Sequence, residues 1–171
     1  MGTPAMKPPP AARYEDLLEV PDHRVAEILD GTLYTHPRPA ARHARVGSRL
    51  GMDLGGPYDG EPDGTDRPGG WWILDEPELH LADDILVPDL AGWRRDRMPV
   101  IPDVAYFTLA PDWVCEVLSP STARLDRTLK MQIYAREGVR YLWMVDPLAQ
   151  TLESGQGDRP STGSAPLLER R

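Results

Sequence analysis

The sequence predicts an α/β domain built on a mixed β-sheet flanked by α-helices, with a β-hairpin at its N-terminal side. Three observations carry this. Asp30-Gly31 separates two strand-like runs, Arg24-Val-Ala-Glu-Ile-Leu and Thr32-Leu-Tyr-Thr-His, and Asp-Gly is a favoured two-residue hairpin turn. Asp112 to Leu118 and Arg140 to Val145 are apolar runs that read as strands buried on both faces, with a helical pattern between them, which is a strand-helix-strand unit packed on a sheet. A chain of 171 residues is long enough for one domain with a proper core and too short for two ordinary ones.

The elements can be justified in order. Met1 to Ala12 is Pro-rich, and residues 1–12 are expected to be disordered. The domain is expected to span residues 13–150, with residues 151–171 a flexible tail, because Gly, Ser and Pro dominate from about Gly155. After the hairpin, Ala44, Val46, Leu50 and Leu54 fall at mostly helical spacing with arginines between them, which gives a basic amphipathic helix from Ala41 to about Leu54. Pro57 to Gly70 has no periodicity and reads as a mobile surface loop. Trp71 to Leu81 and Ile85 to Trp93 read as two strands joined by Ala82-Asp83-Asp84. Thr122 to Glu137 reads as a helix with the core stripe Leu125, Leu129 and Ile133, capped by Ser119 or Ser121 and closed by Gly138. Nothing after Val145 promises a further strand, so the sheet edge there is expected to be open, and open edges invite pairing with another chain. A homodimer is the corresponding expectation.

Composition narrows the function classes. The net charge is -8, which at first sight opposes a polyanionic partner. The acid is local, however: between Asp53 and Asp89 stand eleven Asp or Glu and one Arg, and the rest of the chain is slightly basic. Thr35 to Met52 carries Arg38, Arg42, Arg45 and Arg49 with no acid, and Ser119 to Arg140 is also basic. Two basic segments around an acidic middle suit a metal site beside a phosphate-binding surface, while two solvated helix faces are the plainer alternative. Cys115 is the single cysteine, so no internal disulfide is possible and a reducing compartment fits. MGTPAMKPPPAAR offers no signal-like apolar stretch, and no run of about eighteen apolar residues occurs. The expectation is a cytoplasmic protein. GxSxG, Walker, CxxC and HExxH patterns are absent.

Three ionisable residues stand where structure alone does not ask for them. Glu116 interrupts the apolar run Trp113-Val114-Cys115 and Val117-Leu118, although carboxylates are almost never buried without a partner. Asp89 follows Pro88 in ILVPDLAGW. Lys130 is one of two lysines against seventeen arginines. Asp89 and Glu116 come from neighbouring strand candidates, so their carboxylates can converge, and a hard divalent cation is the usual remedy for two such charges. Lys130 sits at the border of its helix stripe and can bring its ammonium to that place; Asp126, Lys130 and Tyr134 share its helix face. Each has a plain alternative: Asp89 as a strand end, Glu116 in a buried ion pair with Lys130 or an arginine, and Asp126 with Lys130 as a surface i,i+4 pair.

At these residues the chain resembles a known family. PDLAGW, DWVCEVLSPSTARLDRTLKMQIYAREGVRYLWMVDP, AEILDGTLY and the RHARV helix are similar to the Uma-two family of candidate restriction endonucleases, a branch of the PD-(D/E)XK nuclease superfamily, from about Tyr14 to Pro147. The resemblance implies a restriction-endonuclease-like mixed sheet and a metal-dependent phosphodiesterase that hydrolyses DNA with Mg²⁺ or Mn²⁺. It implies catalytic roles for Asp89, Glu116, Lys130 and Glu27, with Asp89 and Glu116 as metal ligands, and it matches His43 to a family histidine. Arg42, His43, Arg45 and Tyr134 are the candidate substrate contacts. One departure stands out: the motif lysine would fall at Leu118, and the resemblance implies that Lys130 on the next helix substitutes for it. The alternative from another class is a nuclease-fold module that binds nucleic acid or a protein partner without cutting.

Overall fold

The computed structural model describes residues 10–62, 67–156 and 168–170, the last by backbone alone. The element order is α1 (Tyr14–Leu18), β1 (Arg24–Leu29), β2 (Thr32–Pro37), α2 (Ala41–Tyr58), β3 (Trp71–Asp75), β4 (Leu79–Leu81), β5 (Asp84–Leu86), β6 (Leu90–Arg94) and β7 (Trp113–Val117). Beyond these come α3 (Ala123–Leu125), a π-helical turn (Asp126–Lys130), α4 (Met131–Arg136), β8 (Tyr141–Asp146), β9 (Thr151–Gln156) and β10 (Leu168–Arg170). Two sheets result: four strands in the order β2-β1-β5-β4, and six in the order β10-β9-β8-β7-β6-β3. The larger one is mixed, since β7 and β8 are parallel and its other pairs antiparallel. α3, the π turn and α4 form the crossover that a parallel pair requires.

The hairpin forms as expected. Asp30 and Gly31 both adopt positive φ, 46° and 72°, as a two-residue primed turn demands, and β1 pairs with β2 from Arg24–Pro37 to Leu29–Thr32. The basic helix also forms and runs on to Tyr58. Leu50 and Leu54 lay it over Leu90, Trp113 and Cys115 on one face of the large sheet. The opposite face carries the main core, in which Trp93, Val114, Met144, Ile133 and Tyr134 are buried.

The two strands expected from Trp71 to Leu81 and from Ile85 to Trp93 are each broken in two. Proline is the reason, because it offers no ladder N–H. Glu76 turns at φ 45° just before Pro77, and the chain leaves the large sheet after β3 to enter the small one as β4. Ala82-Asp83 makes the return into β5, and Pro88 then releases the chain back into the large sheet as β6. Val87 to Asp89 therefore bridges the two sheets, with the Val87 N–H on Glu27 of β1 at one end and Asp89 beside β7 at the other.

The edge expected after Val145 is closed. β9 pairs with all of β8, from Tyr141–Gln156 to Asp146–Thr151, and buries Glu153 against Arg127 at 2.7 Å. The low-complexity composition near Gly155 hid this strand, although Thr151, Leu152 and Glu153 precede it. Of the segments expected to be flexible, residues 1–9, 63–66, 157–167 and 171 lie outside the described residues. The described part of the 57–70 segment is tied down, Gly70 N–H donating to Gly60 at 2.7 Å and Gly69 N–H to Pro57 at 3.1 Å. Among the described residues no helix is long and apolar enough to cross a membrane.

Candidate active site

Asp89 and Glu116 stand side by side because of strand register. Leu90 pairs with Cys115 between β6 and β7, so the next step along the ladder sets Asp89 against Glu116. Asp89 Oδ2 accepts the Val117 N–H at 2.7 Å, and its Oδ1 lies 3.4 Å from Nε2 of His43 on α2. All five residues of β7 are buried. Glu116, 3% exposed, is met from the helix side: Lys130 Nζ lies 2.7 Å from its Oε1, and the Tyr134 hydroxyl donates to the same oxygen at 2.6 Å. This resolves the anomaly of a carboxylate in an apolar strand.

Glu27 approaches from the other sheet. Its Oε1 lies 3.0 Å from Lys130 Nζ and accepts the Val87 N–H at 2.9 Å, while its Oε2 lies 3.1 Å from His36 Nε2. Asp126 completes the group at 3.6 Å from Lys130. Lys130 and Asp126 lie on the π-helical turn, a distortion that often accompanies functional sites.

The electrostatics follow from burial. Burial alone would draw the Lys130 ammonium towards neutrality, but Glu116 and Glu27 overrule it and hold its pKa well above the ordinary lysine value. Burial likewise opposes ionisation of Glu27, yet Lys130, His36 and the Val87 N–H prevail and bring it down to about 2. Asp89 is pushed up by burial to about 6 despite His43, Val117 and Lys130. Glu116 is raised well above the carboxylate range, first by burial and then by Asp126, Asp89 and Glu27, which outweigh Lys130. Four carboxyl groups thus face one ammonium, and burial with their mutual repulsion raises Glu116, Asp89 and Asp126. Such a set of oxygen donors fits a hard divalent cation, which takes one or two carboxylates and otherwise waters or substrate oxygens, and which would displace those protons. Among the described residues no group of three or more His, Cys, Asp or Glu side chains is arranged to hold a metal.

These residues line the floor of a cleft of about 620 Å³. Its walls are Leu17, Leu18 and Val20 on one side, Pro37 to Ala40 on another, and Ser119 to Thr122 on a third. Of the sequence candidates, Asp89, Glu116, Lys130, Glu27 and His43 are brought together here. Arg42 and Arg45 are exposed on α2 and do not line the cleft. Tyr134, expected to contact substrate, is instead 1% exposed with its hydroxyl on Glu116. Its helical face points inward, towards β7. His36 was not singled out in the sequence. It pairs with Val25 across the hairpin, and only the fold shows that its ring reaches Glu27.

The family model Uma2, described as "Putative restriction endonuclease", matches residues 11–163. A crystal structure from Anabaena variabilis ATCC 29413, described as a "putative nuclease belonging to DUF820", superposes with a TM-score of 0.71 at 20% identity, covering 92% of this chain and 83% of that one. At that identity the likeness concerns the fold. No curated protein matches the chain.

Proposed function

Since the chain belongs to the Uma2 family of restriction-endonuclease-like proteins, we propose that it is a Mg²⁺- or Mn²⁺-dependent endonuclease that hydrolyses phosphodiester bonds of DNA at the cleft floor. The observation that carries the proposal is Lys130 Nζ, 2.7 Å from Glu116 and 3.0 Å from Glu27, in the same cleft as Asp89. Leu118 occupies the position of the motif lysine, and Lys130 supplies from the helix the cation that the strand lacks.

Asp89 and Glu116 would hold the cation. When bound there, it supplies Lewis acidity and charge neutralisation for in-line attack of water on phosphorus. Val117 N–H fixes one oxygen of Asp89 and leaves the other facing His43 and the cleft. Tyr134 and Lys130 share Oε1 of Glu116, which fixes the orientation of the carboxyl group. Lys130, kept protonated by Glu27 and Glu116, stabilises the negative charge that develops on the phosphate oxygens. Glu27 holds the ammonium in place from the far side. What favours cutting over binding alone is this placement of the lysine, since metal binding asks only for the carboxylates.

The test is incubation of supercoiled plasmid and single-stranded DNA with the purified protein in Mg²⁺ or Mn²⁺, beside Glu116→Gln and Asp89→Asn. The wild type cuts at least one of the two substrates, EDTA stops it, and both variants are inactive. Cleavage that persists in EDTA, or in both variants, refutes the assignment.

A further inference from the structure

Next to the cleft, on the side of α1, lies an aromatic stack that the carboxylate-lysine cluster does not use. His80 and Tyr106 are parallel, with ring centroids 3.7 Å apart and an interplanar angle of 7°. Tyr14 closes on both by its edge, 4.9 Å from His80 and 6.1 Å from Tyr106. The stack is rigid for reasons outside the rings. Phe107, the residue after Tyr106, is laced to β4 and to the residue before that strand, His80 N–H donating to the Phe107 carbonyl at 2.8 Å and Phe107 N–H to that of Glu78 at 2.9 Å. Phe107 itself is buried against Trp93. Tyr106 nevertheless remains 39% exposed: a ring backed by a second ring, held by backbone on one side and open to solvent on the other.

The stack is continuous with the cleft. Glu78 lines the cleft and lies 2.6 Å from His80 Nε2, and burial together with this carboxylate raises the pKa of the Tyr14 hydroxyl above its ordinary value. Tyr14 opens α1, whose Leu17 and Leu18 form the apolar cleft wall, with Leu18 64% exposed. Tyr106 meets Tyr14 at the start of α1, so the exposed ring and the aliphatic wall stand on the same side of the cleft. Glu78, beside the stack, is already engaged by His80.

The charge of the cleft decides which ligand suits it. Its lining includes the acids Asp22, Glu76 and Glu78 besides the four of the cluster, whereas Arg24 and Arg38 are tied to the Thr35 and Asp22 carbonyls at 2.8 and 3.0 Å. A duplex brings one phosphate charge per about 1.7 Å of axis, twice the density of one strand. An acid-lined cleft with an apolar wall and a stacking ring at its mouth favours the form with fewer charges and unstacked bases. We propose that Tyr106, backed by His80 and Tyr14, is a base-stacking platform, and that the substrate class of this site is single-stranded nucleic acid whose bases run from Tyr106 past Leu18 while a phosphate reaches Asp89 and Glu116. This rests on the nuclease reading.

The experiment is fluorescence anisotropy of labelled oligo-dT, oligo-U and a blunt DNA duplex in Ca²⁺, with wild type, Tyr106→Ala and Tyr106→Phe. Cleavage of the same strands in Mn²⁺ is monitored in parallel. The expected result is single-strand binding tighter than duplex binding, weakened roughly 5- to 150-fold in Tyr106→Ala, retained in Tyr106→Phe, with duplex binding unchanged; the two single strands report whether the sugar matters. If Tyr106→Ala, with the melting temperature of Tyr106→Phe, binds single strands as the wild type does, or if the duplex is bound and cut as well as the single strand, the platform is refuted while the nuclease reading stands. If the wild type neither binds nor cuts any of the three, the nuclease reading fails and the platform with it.

Discussion

Lys130 Nζ lies 2.7 Å from Glu116 Oε1, with Lys130 4% and Glu116 3% exposed at the side chain. Neither residue can lose the other cheaply. Removing one partner of a buried pair strands the remaining charge and costs about 3–5 kcal/mol. Lys130→Met should therefore destabilise the protein by about that amount, and Glu116→Gln added to it should recover part of the loss, because the stranded carboxylate is gone. Urea unfolding of the single and double variants checks this; strictly additive effects would contradict a direct coupling.

Tyr134 touches the same oxygen of Glu116 at 2.6 Å from a fully buried position. Tyr134→Phe should cost about 1–3 kcal/mol for the lost hydrogen bond to a buried group. It should lower kcat while leaving KM for DNA unchanged, since the hydroxyl acts on the carboxylate and not on the ligand. A rise in KM at constant kcat would return Tyr134 to the role of a substrate contact.

The pH dependence of stability separates two carboxylates by sign. Asp89 is raised from 3.8 to about 6, so its favourable contribution is fully present below pH 3.8 and is lost as pH rises through 6. At pH 7.5 the metal-free protein thus carries a penalty of up to about 3 kcal/mol, at 1.36 kcal/mol per pKa unit. Asp89→Asn should melt higher than the wild type at that pH, and Mn²⁺ should raise the melting temperature of the wild type but not of the variant. Glu27 behaves oppositely: lowered from 4.5 to about 2, it contributes stability above pH 4.5 that disappears as pH falls towards 2. Thermal scans from pH 3 to 8 check both, and equal melting of wild type and Asp89→Asn at pH 7.5 would contradict the first.

Arg136 on α4 ties the crossover helix to the small sheet through Asp84 and through Asp30 at 3.1 Å. Asp84 is 2% exposed and keeps only the Asp30 N–H, at 2.7 Å, when the guanidinium is removed. Arg136→Ala should cost about 1–3 kcal/mol, measured by thermal unfolding. It should also loosen Glu27 relative to Lys130, because β1 and the helix then lose a shared anchor. An unchanged melting temperature would show the ion pair to be ornamental.

What the sequence made legible was anomaly. Glu116 in an apolar run announced a partner, Lys130 stood out among arginines, and Asp30-Gly31 marked its turn; each conflicts with or satisfies a local rule that one strand or one turn decides. The site residues that depend on how distant strands meet were less visible. His36 reaches Glu27 only through the hairpin, and Glu27 reaches Lys130 only because Val87 to Asp89 crosses between sheets, a crossing that Pro77 and Pro88 signalled but that hydrophobic patterning concealed. The π turn at Asp126–Lys130 has no compositional mark, and its Leu125, Leu129 and Ile133 stripe reads as an uninterrupted helix. β9 was hidden because the chain from Gly155 onward resembles linker more than strand, and its pairing is fixed by β8 rather than by its own residues.

The proposed function turns on Lys130, a helix lysine that would do the work of the motif lysine absent at Leu118. The most direct measurement compares Lys130→Gln with wild type in two readouts on one sample, Mn²⁺ binding by calorimetry and single-turnover cleavage of a labelled strand. Metal binding should survive within a few-fold while the cleavage rate falls about 100- to 1,000-fold, as loss of one charge-stabilising donor does elsewhere. A Lys130→Gln protein that binds Mn²⁺ and cuts at the wild-type rate would contradict that role.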